Sequence, residues 1–124
     1  MPAAPTVLVV EDDPVILRLL EVNFDLEGFT VLQAQDGAEG LDVARAHRPD
    51  VIVTDIMMPK MSGIELVEAL RADDATAKIP ILLLSAKAQS SDLKAGMDAG
   101  ADDYVTKPFE PLDLIERVND LLSR

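Results

Sequence analysis

Short apolar runs alternate along the chain with segments in which apolar residues recur every three or four positions. The first run, Thr6–Val10, is Val-rich and stops at Glu11-Asp12-Asp13-Pro14. An apolar run without polar alternation fits a strand covered on both faces. Asp13 then Pro14 signals a helix start, a capping carboxylate ahead of a proline at the first helical position. Ile16, Leu19, Leu20 and Phe24 follow at helical spacing, and Gly28 supplies the stop. The unit then repeats. Thr30–Ala34 reads as a strand, Asp36-Gly37 as turn and cap, and Leu41 and Ala44 mark a short helix. Residues 50–54 read as a buried strand ending at Asp55. After a loop with Pro59 and Gly63, Ile64, Val67, Leu70 and Arg71 mark the next helix. Ile79–Leu84 is the fourth strand, ending at Ser85, and residues 91–99 form a helix ending at Gly100. Asp103–Thr106 is a fifth strand ending at Lys107-Pro108, and Leu112, Ile115, Val118 and Leu122 give a last amphipathic helix.

Five strands alternating with five helices predict an α/β fold, with parallel strands joined by helical crossovers in a three-layer α/β/α sandwich. The 124 residues suffice for one such domain, set at residues 6–122, with the small, Pro-rich residues 1–5 expected to be frayed. No linker, low-complexity tract or short repeat divides it.

Composition narrows the chemistry. Asp and Glu number 23 against 11 Lys and Arg, a net charge of -12 without an acidic tail or a basic arm. Such a segment is a poor partner for a phosphate backbone, so direct nucleic-acid binding by it is not expected. With no cysteine, thiol catalysis and Cys-ligated metals are excluded, and one histidine cannot build a His-rich metal site. No apolar run approaches the roughly 18 residues of a membrane span, and the start lacks a basic leader region. The expected location is cytoplasmic, with no membrane partner.

In an open parallel sheet, ligands collect outside the carboxyl ends of the strands, where strand order reverses. Glu11-Asp12-Asp13 follow strand 1, Asp55 ends strand 3, Ser85 strand 4 and Lys107 strand 5. If strands 1 and 3 are neighbours, their acids meet in one pocket with the hydroxyl and the ammonium beyond. Converging carboxylates resist ionisation unless a cation sits among them, and an all-oxygen site beside an anion site suits Mg2+. A lysine opposite suits a phosphoryl group, and an aspartate can itself be the nucleophile. Taken singly, each residue has a plainer role: Glu11–Asp13 as a helix cap, Asp55 as a turn residue, Ser85 as a cap, Lys107 as surface. Their coincidence at four strand ends favours phosphoryl chemistry.

Four segments carry a family resemblance: Val7–Pro14 (VLVVEDDP), Asp55–Gly63 (DIMMPKMSG), Leu84-Ser85-Ala86 and Gly100–Phe109 (GADDYVTKPF). Together they resemble the receiver domain of bacterial two-component response regulators, from about residue 6 to residue 122. The resemblance implies a flavodoxin-like sheet of order 2-1-3-4-5. It implies Asp55 as phosphoacceptor, and Mg2+ held by Asp12, by Glu11 through water, by Asp55 and by the backbone carbonyl of Met57. It implies Ser85 as the switch hydroxyl and Lys107 as the phosphoryl contact, with a cis Lys107-Pro108 bond. Tyr104 would be the switch aromatic that moves inward with Ser85. The expected role is a phosphorylation-dependent signalling switch rather than a dedicated enzyme, catalysing only its own phosphorylation and dephosphorylation. A sensor histidine kinase or histidine phosphotransfer protein would supply the phosphoryl group. The helix 4–strand 5–helix 5 face would then act on an output domain or partner, or form a homodimer.

Two positions depart from the commonest pattern: the first acid is Glu11, and Ser85 stands where a bulkier Thr is frequent. Met57 and Lys87 occupy positions that tune self-dephosphorylation, and apolar Met57 cannot orient a water. Three rivals fit less well. A Mg2+-dependent aspartyl-phosphate hydrolase would carry a second Asp at Met57. An FMN module needs a Ser/Thr/Gly-rich loop after strand 1 and aromatics, which are 3% here. A pseudo-receiver would lack the complete Glu11/Asp12/Asp55/Ser85/Lys107 set. Elsewhere, His47 reads as a surface residue at a helix C-terminus. Met57, Met58 and Met61 read as gap-fillers, although a kinase helix could dock near them and helix 1. Asp102, Asp103 and Arg117 are placed to pair on the switch face, within the chain or across a dimer.

Overall fold

The computed structural model describes residues 4–86 and 90–123. The elements run β1 (Thr6–Val10), α1 (Pro14–Leu26), β2 (Thr30–Ala34), α2 (Gly37–His47), β3 (Val51–Asp55), α3 (Gly63–Ala72), β4 (Ile81–Ala86), α4 (Ser90–Ala99), β5 (Asp103–Lys107) and α5 (Pro111–Leu122). The strands form one parallel sheet of order β2-β1-β3-β4-β5, the order that the resemblance implies. Among the described residues no helix is long and apolar enough to cross a membrane.

The period-two side-chain alternation of each strand splits the core into two layers. Val7 and Val9, Val51 and Val53, and Leu82 and Leu84 pack with Leu20 and Phe24 of α1 and Leu114 and Val118 of α5. Leu8 and Val10, Ile52, and Ile81 and Leu83 pack on the other side with Leu41, Leu66, Val67 and Leu70. Each fully buried Leu or Val contributes roughly 1.5–3 kcal/mol, so the three central strands dominate stability. The edge strands β2 and β5 are only partly covered.

Helix starts follow their side-chain signals. The Asp13 carboxylate accepts from Val15 N at 2.9 Å with Pro14 in the first turn, and Asp36 accepts from Glu39 N at 2.8 Å. Ser62 and Glu65 form a reciprocal capping box at α3. Beyond α1, Gly28 takes φ +89, the left-handed conformation that glycine adopts without penalty.

The fourth strand is displaced from its expected bounds. It begins at Ile81 because Pro80 has no N–H to donate, and Ile79 N is spent on Thr76 O in the preceding turn. At the amino end, Pro5 O accepts from Thr30 N at 2.9 Å, which continues the β1–β2 pairing one residue outward.

Candidate functional site

Strand β1 delivers Glu11 to the carboxyl edge of the sheet, where its backbone N–H donates to Ala34 O at 3.0 Å. Its neighbour β3 ends at Asp55, in register with Leu84 of β4. Beyond them, β4 and β5 pair Ser85 with Thr106 and Ala86 with Lys107. The sheet order therefore gathers five predicted residues at one edge, at the reversal between β1 and β3.

Glu11 is fully buried, Asp55 nearly so, and Asp12 is exposed at the mouth. The Lys107 ammonium bridges the two buried acids, with Nζ 2.9 Å from Glu11 Oε1 and 3.1 Å from Asp55 Oδ2. The remaining carboxylate oxygens are held by backbone. Asp55 Oδ1 accepts from Ile56 N at 2.9 Å, and Glu11 Oε2 accepts from Asp13 N at 3.2 Å. Burial pushes the Glu11 carboxyl up to about 7; the Lys107 hydrogen bond opposes this, and the nearby Asp55 charge reinforces it. For Lys107, burial works against the charge. The Glu11 hydrogen bond and the charges of Asp55 and Glu11 outweigh it and raise its pKa. Lys107 is thus firmly charged at neutral pH, while burial favours the protonated form of Glu11.

The loop after Asp55 folds back tightly. Gly63 N donates to Ile56 O at 2.8 Å, and a Cβ on Gly63 would sit 2.2 Å from Asp55 O. Only glycine admits that approach, so the start of α3 is pinned against the backbone of Asp55. The Lys107-Pro108 peptide bond is cis, as the resemblance implies.

Carboxylate oxygens of Glu11, Asp12 and Asp55 all lie within 4.8 Å of one another. Three hard oxygen donors, one buried with a raised pKa, fit Mg2+ chemically and would be relieved of mutual repulsion by it. Ser85 is buried at the same edge, and its hydroxyl donates to Ala86 O at 3.1 Å. Tyr104 lies on β5 and is 41% exposed. Met57 is 59% exposed, whereas Met58 and Met61 pack against the core, so the three methionines divide between surface and filler. His47 is exposed as the last residue of α2. Lys87 lies outside the described residues.

The expected pairing of Asp102, Asp103 and Arg117 is realised only in part. Arg117 Nη1 bonds Asp103 Oδ1 at 3.1 Å, but Asp102 instead takes Arg71 Nη2 at 2.9 Å and Ile81 N at 2.8 Å. Arg71 also donates to Gly100 O, Ala77 O and Ile79 O. From sequence it was visible only as the end of α3, because partners 6 to 31 residues away leave no local signal.

Comparison with known proteins agrees with this geometry. The chain is 43% identical over 120 residues to the DNA-binding dual master transcriptional regulator RpaA of Synechocystis sp., covering 97% of this chain and 50% of that protein. It spans about half the length of the curated relatives it matches. Among solved structures, a putative response regulator from Chloroflexus aurantiacus superposes with TM-score 0.93 at 36% identity, covering 98% of this chain and 99% of that one. The receiver domain of sensor histidine kinase PA1611 from Pseudomonas aeruginosa, with magnesium coordinated in its active site cleft, gives TM-score 0.91 at 29% identity. That match covers 98% of this chain and 100% of the other. The response regulator receiver domain family matches residues 7–119, and with the acids, hydroxyl and lysine of that pattern at one sheet edge, the chain belongs to this family.

Proposed function

We propose that residues 6–122 form a phosphorylation switch in which Asp55 accepts a phosphoryl group from a phosphohistidine. The observation that carries this reading is the Lys107 ammonium lying between Glu11 and Asp55 beside an exposed Asp12. In the transfer, an Asp55 carboxylate oxygen forms the new O–P bond while the P–N bond to the donor imidazole breaks. The donor leaves as a neutral or protonated imidazole. Asp12, Asp55, the Met57 carbonyl and Glu11 through water would hold Mg2+, which would supply charge neutralisation at the carboxylates and the transferring oxygens. Lys107 holds Asp55 in place before transfer and pairs with the added charge after it. Phosphorylation turns one carboxylate charge into a group of about -2, so the Lys107 contact strengthens. The Ser85 hydroxyl, now spent on Ala86 O, can turn to the phosphoryl oxygens.

Ser85 and Lys107 lie at the adjoining ends of β4 and β5, and Tyr104 lies on β5. A shift of Ser85 with inward rotation of Tyr104 would remodel the α4–β5–α5 face and change what it binds. A phosphodonor helix has a docking stripe beside the site, since Val15, Leu19, Val22 and Leu26 are exposed along one face of α1. Their four-three-four spacing is that of a helix-packing seam. The partner is then a sensor histidine kinase or histidine phosphotransfer protein, the location cytoplasmic, and the chemistry confined to self-phosphorylation and self-dephosphorylation.

The test is intact mass after incubation with Mg2+ and a small-molecule phosphodonor. One phosphate should add to the protein, and be lost in Asp55→Asn and in chelator. An unmodified mass where a control receiver reacts would leave a phosphate-independent scaffold as the reading.

A further inference from the structure

The loop between Asp55 and α3 is fixed at three points, two of them at the start of α2. At the far end of the loop, Gly63 rests on the backbone of Asp55. In its middle, Lys60 takes φ +67, a left-handed conformation disfavoured for a residue that carries a side chain. Met61 N donates back to Pro59 O at 2.7 Å, which closes the bend. The first turn of α2 lies against that bend. Gly37 is so close that a Cβ on it would overlap Met61 O and sit 2.7 Å from Met61 Cβ. Beside it, Lys60 Nζ pairs with Asp36 Oδ2 at 3.5 Å. The turn itself is held from both sides. Asp36 Oδ1 accepts from Glu39 N at 2.8 Å, and Glu39 Oε1 accepts from Gln35 N at 3.0 Å. One turn on, Gly40 seats on β1, where a Cβ would meet Val10 Cγ2 at 3.0 Å, and Leu41 and Ala44 are buried in the core. Val10 immediately precedes Glu11. The first turns of α2 therefore touch both segments that lead into the acidic site: the strand ahead of Glu11 and Asp12, and the loop that carries Met57.

We infer that Asp36, Gly37 and Lys60 are positioning residues for the metal site: the start of α2 is the wall that sets where the Met57 carbonyl stands relative to Glu11 and Asp12. The inference rests on the reading above that Mg2+ is held by those groups. A left-handed residue other than glycine persists only where its surroundings over-determine it, and here the Gly37 wall and the Asp36 pair do so. Met57 lies three residues before Lys60 on a loop pinned at Gly63, so a change in the bend is passed back along the chain toward Met57. The wall cannot give way easily, because Gly40 already brings α2 against β1. A plain ion pair on the surface would contribute to stability alone and leave metal binding untouched.

The experiment is calorimetric titration of the unphosphorylated protein with Mg2+, beside thermal melts in chelator. Lys60→Gly takes the same left-handed backbone without penalty and removes the pair, so its melting point should not fall. Its Mg2+ affinity should fall about threefold, the scale of one exposed ion pair. Charge alone has the opposite sign, since removing a positive charge from the protein favours a bound cation. A fall therefore reports position. Gly37→Ala, which meets backbone, should lower the affinity about tenfold. Should it unfold the protein, Lys60→Gly still decides. Lys60→Arg keeps the pair and should bind as the parent does. So should Arg45→Ala, which breaks the Arg45–Asp73 pair at the other end of α2 with the same change in net charge as Lys60→Gly. Unchanged or tighter Mg2+ binding in Lys60→Gly, an equal loss in Arg45→Ala, or losses that only follow the melting point would overturn the inference. So would a labelled Met57 carbonyl carbon whose resonance stays still while Mg2+ binds the parent. Absence of Mg2+ binding by the parent would overturn the metal reading and this inference together, whereas binding by the parent with Lys60→Gly unchanged overturns this inference alone.

Discussion

Lys107 Nζ lies 3.1 Å from Asp55 Oδ2, a contact made across 52 residues of chain. The same nitrogen holds Glu11, so a single cation restrains the two buried acids of the site. A divalent cation bound among Glu11, Asp12 and Asp55 would compete with it for those oxygens. Lys107→Met should therefore bind Mg2+ more tightly by calorimetry, because the competing charge is gone. It should also form the phosphate adduct about tenfold or more slowly, because the transferring group loses its positive partner. Weaker Mg2+ binding in the variant would show that Lys107 orders the acids for the metal rather than competing with it.

Glu11 gives the protein a pH dependence opposite in sign to that of an ordinary salt-bridged acid. Its pKa is raised from 4.5 to about 7 by burial. A raised folded-state pKa means that the folded protein binds this proton more tightly than the unfolded chain. The stabilisation is present below pH 4.5 and is lost as pH climbs toward about 7. Asp36 and Asp73 act in the other direction. Backbone N–H groups of Glu39 and Ala75 hold their carboxyls low, so their contribution is present above 3.8 and is lost on further acidification. Urea melts without metal should show stability declining between pH 5 and pH 7 (approximate limits set by the Glu11 shift), and Glu11→Gln should remove that decline. Mg2+ affinity should rise over the same window as the competing proton leaves.

Gly63 is the residue whose side chain the site cannot accept. A methyl there would meet Asp55 O at 2.2 Å and Ile56 Cα at 2.9 Å, both backbone atoms. Gly63→Ala should cost about 1–3 kcal/mol in denaturant melts, the usual scale for overpacking against an unyielding wall. The same shift displaces the backbone of Asp55, so adduct formation should slow along with the loss of stability. A variant that melts like the parent would place the flexibility of this loop above its packing.

Arg71 works at the opposite end of the sheet. Its guanidinium joins α3 to the loops before β4 and β5 through Ala77, Ile79, Gly100 and Asp102. Arg71→Ala should cost about 2–4 kcal/mol, since it removes the ion pair of the part-buried Asp102 and the donors to three loop carbonyls. Lys in its place should recover only part, as an ammonium lacks the planar fork. Adduct formation at Asp55 should be unchanged in the folded variants, because no atom of the network approaches the carboxyl edge. Loss of both together would reveal coupling through β4.

These residues mark how far the sequence could be read. Strands β1 and β3 were legible because unbroken apolar runs signal burial on both faces, α1 and α2 because their caps are local, and α3 by its apolar spacing, although its Ser62–Glu65 capping box went unread. Asp55, Glu11 and Lys107 could be set together since topology alone brings strand ends to one edge. The start of β4 was misplaced because Ile79 looks like strand by hydropathy, whereas its N–H is taken by a turn. The role of Asp102 was missed for a related reason. Two acids side by side look equivalent in sequence, but Asp102 points to the amino end of the sheet and Asp103 to α5.

Met57 lies two residues past Asp55, and if Asp55 is the acceptor proposed above, it bears on the lifetime of the phosphorylated state. Its side chain is 59% exposed, so it stands at the surface rather than in the core. Hydrolysis of an aspartyl phosphate requires a water held in line with the O–P bond, opposite the Asp55 oxygen. A thioether neither donates a hydrogen bond nor accepts one strongly, so Met57 does nothing to fix that water. An amide at the same position can both donate and accept. Met57→Asn should therefore lose its phosphate faster than the parent, by about threefold to tenfold, the range of one positioned hydrogen bond. The check is the decay of the adduct peak by intact mass after the donor is removed, with Mg2+ held constant. Because the side chain is exposed, the substitution should leave the melting point nearly unchanged, which separates an effect on water from an effect on folding. A slower decay in Met57→Asn would show that the methionine does not protect the phosphate, and that another residue of the edge sets its lifetime.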